Sequence, residues 1–90
     1  MIAIGYDIGS SFIKAALVDT ETGNPIDRVR VPDAEITMIA NEIGWAEQDP
    51  GHWWEYLCNA TKSLIQKANI KAEKISSIGI SYQMHGLVLV

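Results

Sequence analysis

The chain has 90 residues, of which 48% are hydrophobic and 20% charged, and this composition is typical of a small globular domain rather than a disordered segment. A net charge of −4 at pH 7 argues against a nucleic-acid-binding surface, and no apolar run reaches the roughly 18 residues of a membrane span. A single cysteine excludes an internal disulfide framework, and the N-terminus lacks the basic region of a signal peptide, so we expect a cytoplasmic protein.

Three strands are predicted in the first third of the chain. Apolar residues alternate with other residues over positions 2–8, and a Gly-Ser-Ser turn at 9–11 follows them. A second apolar run covers 12–19, a polar turn covers 20–24, and the charges and leading proline of 25–31 suit an edge strand. The short turns between these strands predict an antiparallel meander.

One helix is predicted after an irregular stretch at 32–49. Asp49 fits the N-cap and Pro50 the first helical position. Apolar residues then recur at intervals of three and four, which predicts one buried helix face, and we assign Trp54 mainly to packing on it. The residues of this face are Trp53, Trp54, Leu57, Cys58, Thr61, Leu64, Ile65 and Ala68.

The C-terminal part of the sequence predicts a fourth strand at 75–82 and the start of a fifth at 87–90. In the resulting β-β-β-α-β order, the helix can cross over and place strand four parallel to strand one. Residues 7–11 and 83–86 then meet at one edge of the sheet, where α/β domains tend to bind ligands. Because the sequence stops within an apolar run, we expect an N-terminal piece of a longer protein.

An acid followed by a Gly-Ser-Ser turn is the first candidate site. Burial of an unpaired carboxylate is costly, so Asp7 should lie at the strand end, where it can hold a hydrated Mg²⁺. Gly9 allows close approach of the backbone, and Ser10 and Ser11 offer hydroxyl and N–H groups to phosphate oxygens. Lys14 can reach a phosphate. The alternatives are a tight hairpin, for which glycine and serine are common, and an ordinary solvated lysine.

Two further segments carry candidate residues. His85 can hydrogen-bond a ligand hydroxyl, although a lone histidine is more often structural, and Gln83 can bond either a ligand or its own backbone. Before the helix, Glu47, Gln48 and Asp49 are candidate catalytic residues, although the N-cap role is enough to explain Asp49.

Three motifs resemble those of the FGGY carbohydrate kinases, and they occur in the family's order. The first resembles the family's first phosphate-binding motif, the second the segment before its first helix, and the third the sugar-side segment of its xylulokinases. The Gln-Met-His-Gly run favours xylulokinases over glycerol kinases. The motifs are residues 7–11 with Lys14 and Asp19, residues 44–50 with Trp53 and Trp54, and residues 78–88.

The resemblance implies an α/β fold of the ribonuclease H-like, actin-like ATPase type. Residues 1–90 would be the incomplete N-terminal part of its first domain, a β-β-β-α-β unit truncated in the fifth strand. The implied reaction is ATP-dependent phosphorylation of D-xylulose to D-xylulose 5-phosphate in pentose catabolism, with ATP and Mg²⁺ as cofactors and a homodimer as one form of the full-length protein. Alternatives are a kinase for another pentulose or polyol, a metal-dependent nuclease, and a non-catalytic actin-like ATP-binding module.

The resemblance also implies roles for individual residues. The family's catalytic aspartate and adenosine-binding motifs lie beyond residue 90, so we expect this chain alone to have no measurable kinase activity. In the implied site Asp7 helps to hold Mg²⁺, Gly9, Ser10, Ser11 and Lys14 bind phosphate, and Gln83, Met84 and His85 contact the sugar.

Overall fold

The computed structural model describes residues 1–82 and 86–88, and its elements follow the predicted β-β-β-α-β order. Residues 86–88 form no strand, so the predicted fifth strand is absent there, and Leu89 and Val90 lie outside the described residues. In the described part of the chain, no helix is long and apolar enough to cross a membrane. The elements are β1 Ile2–Ile8, β2 Ile13–Asp19, β3 Pro25–Val31, α1 Pro50–Ala68, a short 3-10 helix Ala72–Lys74 and β4 Ile75–Tyr82.

The four strands form one sheet in the order β3-β2-β1-β4. β1, β2 and β3 pair antiparallel, which confirms the meander and places β3 at an edge. β4 runs parallel to β1, with Ile8 opposite Tyr82, so the C-terminal ends of both strands share one edge of the sheet as predicted. The turn from β1 to β2 lies at this same edge.

Helix α1 begins and ends with caps that its sequence supplies. The Asp49 carboxylate accepts a hydrogen bond of 2.8 Å from the Gly51 N–H, and Pro50 occupies the first turn, which confirms the predicted start. Asn69 ends the helix in the left-handed conformation, with φ of 54°, and its N–H donates to the Gln66 carbonyl. Asparagine tolerates this conformation better than most residues, which suits a helix C-terminus.

The core lies between α1 and the face of the sheet formed by β1, β2 and β3. The predicted helix face is confirmed at Leu64 but wrong at Trp54, whose side chain is 68% exposed. Trp54 precedes Leu64 by ten residues, which turns it about 80° away around the helix and toward solvent. Ala60 was not predicted on the face, and its small side chain is fully buried there. The buried cluster comprises Ile4, Tyr6, Ala15, Leu17, Ala60 and Leu64.

Candidate functional site

The Gly-Ser-Ser turn is closed by its own backbone. The Gly9 N–H donates to the Phe12 carbonyl at 3.0 Å. A Cβ atom at Gly9 would lie 3.1 Å from that carbonyl oxygen, which is closer than a side chain comfortably allows. Glycine is therefore favoured by the hairpin itself, while Ser10 is exposed and Ser11 half-buried beside it.

The strand register places Asp7 in a polar row on the sheet face opposite α1. Because side chains alternate between the faces of a strand, burial of Tyr6 under the helix directs Asp7 to the opposite face, where it is exposed. Asp7 lies opposite Lys14 on β2 and opposite Ser81 on β4. Lys14 in turn lies opposite Arg30 on β3, which completes a row across all four strands. Sequence reasoning brought Asp7 and Lys14 together but missed Ser81 and Arg30.

A row of mostly small residues lies next to the polar row. Gly5 on β1 pairs with Ala16 on β2 and with Gly79 on β4, and Ala16 pairs with Arg28 on β3. An open groove of about 860 Å³ lies over the two rows. Its charged lining residues are the cations Lys14, Arg28, Arg30 and Lys67 and the acid Asp7. Since a concave surface with excess positive charge raises the local concentration of anions, this groove favours an anionic ligand.

Contacts at β3 hold the cations of the groove in place. The Arg30 guanidinium lies 4.3 Å from the centroid of the Phe12 ring, and this cation–π contact positions Arg30, which lies opposite Lys14 on β2. Lys67 in the last turn of α1 lies 3.1 Å from the Asp27 carboxylate. The Arg28 backbone N–H, and then the Lys67 ammonium, donate to this carboxylate and lower the pKa of Asp27 below its usual range.

Two residues of the irregular stretch at 32–49 donate hydrogen bonds to carbonyl groups of the Gly-Ser-Ser turn. The Ile36 N–H donates to the Ser11 carbonyl at 2.8 Å, and the side-chain amide of Gln48 donates to the Ser10 carbonyl. The Gln48 side-chain oxygen accepts a hydrogen bond of 2.9 Å from the Trp53 indole N–H. Sequence reasoning considered Gln48 as a catalytic residue and missed these contacts. The signal that was available is a long aperiodic stretch, because such stretches in small domains often cover a site.

The residues at the edge fit a Mg²⁺ ion, which binds proteins through one or two carboxylates and keeps water and phosphate oxygens as its remaining ligands. Asp7 offers one exposed carboxylate beside the turn. In residues 1–82 and 86–88, no three His, Cys, Asp or Glu side chains gather around a common point.

The predicted sugar-side residues Gln83, Met84 and His85 lie outside the described residues. The strand that leads to them ends at Tyr82, which is opposite Ile8 and 75% exposed. Tyr82, the last residue of β4, therefore lies at the edge that also carries the turn after β1.

Together, the fold and the site define an α/β domain with a mainly cationic groove on the sheet face opposite α1. Residues 2–90 match the model of the N-terminal domain of the FGGY family of carbohydrate kinases. The chain belongs to this family.

Individual relatives agree with the family assignment. The xylulose kinase of Staphylococcus epidermidis is 36% identical over 89 residues, which are 99% of this chain and 17% of that protein. The glycerol kinase of Aquifex aeolicus is 32% identical over 88 residues, which are 98% of this chain and 17% of that protein. A crystal structure of a xyloylose kinase from Brucella ovis matches with a TM-score of 0.84 at 34% identity, covering 96% of this chain and 17% of that one.

These comparisons confirm the predicted fold class, the α/β start of a ribonuclease H-like, actin-like ATPase domain. The chain spans about 17% of the length of these relatives. Because relatives named for different substrates match it at similar identity, the family assignment leaves the sugar open.

Proposed function

We propose that this chain is the N-terminal part of the first domain of a kinase that transfers the γ-phosphate of ATP to the O5 hydroxyl of D-xylulose. The observation that carries the proposal is the Asp7 carboxylate beside the Gly-Ser-Ser turn, at the shared end of β1 and β4, in a chain of this family. The Gln-Met-His-Gly run at 83–86 supports a xylulokinase over a glycerol kinase.

In this proposal the turn and the groove bind phosphate. Ser10 and Ser11 present hydroxyl and N–H groups to the transferred phosphate, and Gly9 keeps the turn tight. Lys14 and the other cations of the groove supply positive charge, and Asp7 would hold a Mg²⁺ ion. When bound, this ion would supply neutralisation of charge on the phosphate oxygens.

Sugar binding and proton transfer complete the proposal. Gln83, Met84 and His85 contact the sugar, and a catalytic aspartate and the adenosine site lie beyond residue 90. Phosphoryl transfer depends on positioning and charge neutralisation from both sides of the reacting groups, so the chain alone is inactive. The full-length enzyme acts in the cytoplasm, with a homodimer as its proposed form.

The test is ATP-dependent phosphorylation by the full-length protein that carries this sequence, with D-xylulose, L-xylulose and glycerol compared by kcat/KM. We expect D-xylulose to give the highest value. Loss of a metal-orienting group typically costs about 10- to 100-fold, so Asp7→Asn should lower kcat by that factor. Glu21→Gln is the matched control, because Glu21 is exposed and lies in the turn after β2, at the opposite end of the strands from the Gly-Ser-Ser turn.

Three other outcomes contradict the proposal in different ways. A higher kcat/KM for glycerol or L-xylulose refutes D-xylulose as the preferred substrate but leaves the proposed kinase activity standing. Thermal stabilisation by ATP without turnover of any sugar supports the non-catalytic module instead. Normal turnover of D-xylulose by the isolated chain refutes the proposal that essential active-site residues lie beyond residue 90.

A further inference from the structure

Gln48 joins the turn to the start of helix α1. Its side-chain nitrogen donates to the Ser10 carbonyl, while its side-chain oxygen accepts from the Trp53 indole N–H. The indole can only donate and a carbonyl can only accept, so the two contacts together fix which end of the amide faces each partner. The next residue is the N-cap Asp49, which is held by its bond to the Gly51 N–H. The backbone position from which the Gln48 side chain extends to the turn is therefore fixed by the start of α1.

A second bond acts on the next peptide of the turn. The Ile36 N–H donates to the Ser11 carbonyl at 2.8 Å. Between these two contacts the stretch closes on itself, because Ile39 and Glu47 exchange backbone hydrogen bonds of 2.6 and 2.7 Å. Two successive carbonyl groups of the turn are thus held by one closed segment.

Holding the carbonyl groups also orients the N–H groups. In a trans peptide the C=O and N–H point in opposite directions, and the peptides that follow Ser10 and Ser11 are trans. When the Ser10 and Ser11 carbonyls point toward the 36–48 segment, the N–H groups of Ser11 and Phe12 point away from it. Successive N–H groups that face one side form an anion-binding concavity.

We propose that Gln48 is a positioning residue, which holds the Ser10–Ser11 peptide so that the Ser11 N–H faces an oxyanion of a phosphate group. The role of the oxyanion rests on the proposed function, whereas the orientation of the peptide does not. Gln48 acts through the turn and makes no contact of its own with the phosphate. Through Trp53, the same side chain connects the turn to α1.

The substitution Gln48→Glu separates this role from a purely structural one. A carboxylate still accepts from the Trp53 indole, but it has no proton to donate and repels the Ser10 carbonyl. A structural role carried by Trp53 alone would survive in Gln48→Glu and fail in Gln48→Leu. The positioning role fails in both variants. Gln66→Glu and Gln66→Leu are matched controls, since Gln66 is an exposed glutamine on α1.

The first measurement uses the ligand-free chain. We expect the amide proton–nitrogen resonance of Ser11 to shift in both Gln48 variants and in neither Gln66 variant. The Trp53 indole resonance should move strongly in Gln48→Leu and less in Gln48→Glu. An unchanged Ser11 amide in both Gln48 variants, with circular dichroism matching that of the unaltered chain, overturns the proposal.

The second measurement titrates inorganic phosphate and then Mg-ATP into each variant and follows the Ser11 and Phe12 amides. Loss of one orienting hydrogen bond should weaken binding about three- to tenfold in both Gln48 variants. Equal affinity in the Gln48 variants and the unaltered chain overturns the positioning role toward phosphate. If the unaltered chain binds neither probe, the ligand-free Ser11 resonance still decides whether Gln48 sets the orientation of the turn. The same titration is then made on the full-length protein that carries this sequence, with the same variants. If that protein binds neither probe, the phosphate-binding part of the proposed function fails.

Discussion

Trp54 and Leu64 provide the sharpest test of how α1 packs on the sheet. Sequence periodicity assigns both residues to the buried face, but Leu64 is fully buried and Trp54 is 68% exposed. Substitution of each residue by alanine should therefore change the free energy of unfolding very differently. If both lay in the core, the tryptophan would be the more costly loss, because it is the larger side chain.

The expected magnitudes follow from the buried areas. About a third of a tryptophan surface of roughly 250 Å² is covered, which at about 25 cal/mol per Å² gives an upper limit near 2 kcal/mol for Trp54→Ala. The higher helix propensity of alanine offsets about 0.5 kcal/mol of this loss of unfolding free energy. Residual burial of Trp54 in the unfolded chain lowers the expected loss further, to about 1 kcal/mol. Leu64→Ala removes fully buried methyl groups and leaves a cavity, which costs about 2–5 kcal/mol.

Urea unfolding followed by far-UV circular dichroism measures both changes. Fluorescence is unsuitable because Trp54→Ala removes one of the three tryptophans. Leu64→Met is the conservative control and should cost less than about 1.5 kcal/mol, because it nearly conserves volume. A loss for Trp54→Ala equal to or greater than that for Leu64→Ala would refute the orientation of the helix described above.

Two further predictions concern single polar contacts. The Tyr6 hydroxyl lies 2.5 Å from Thr61 Oγ1. Because the Thr61 hydroxyl donates its own proton to the Leu57 carbonyl at 2.8 Å, Tyr6 is the donor of this hydrogen bond. Tyr6→Phe should therefore lower the free energy of unfolding by about 0.5–1.5 kcal/mol. Urea unfolding of Tyr6→Phe, Thr61→Val and the double variant measures the coupling, and full additivity would contradict the contact. For Asp27, the lowered pKa means that ionisation stabilises the fold above the unfolded-state value near 4 and that this contribution is lost as pH falls through the lower, folded-state pKa. Asp27→Asn should therefore be less stable than the unaltered chain near pH 7, and the two should become equally stable in acid. Urea unfolding midpoints across pH measure this difference. A difference that persists in strong acid would contradict a stabilising role for the ionised Asp27 carboxylate.

Local patterns predicted the strands and the helix start because each depends on neighbouring residues. Alternation identified β1, and the pair Asp49 and Pro50 identified the start of α1. The parallel placement of β4 followed from the rule that connections between parallel strands cross over one face. Trp54 was misassigned because helical periodicity defines a broad apolar stripe, while the sheet covers only part of it.

The contacts of Gln48 were beyond this kind of reasoning. They join residues 38 positions apart through a stretch that has no period, so no spacing in the sequence indicates which side chain reaches the turn. Arg30 was missed for a related reason, because its place beside Lys14 depends on the register between β2 and β3. Register is fixed by packing and turn geometry together, and a single sequence specifies it only weakly.

The structure also changes how the two interpretations of the turn should be weighed. A tight hairpin and a phosphate site were alternatives at the level of sequence, but the bond from the Gly9 N–H to the Phe12 carbonyl closes the hairpin and shapes the site at once. Gly9 therefore cannot distinguish the two. Gln48 can, because a hairpin closed by its own backbone does not need a glutamine on the Ser10 carbonyl, whereas an oriented Ser11 N–H does. If Gln48→Glu leaves the hairpin intact and weakens phosphate binding, the turn is held for its ligand and not only for the strands that it joins.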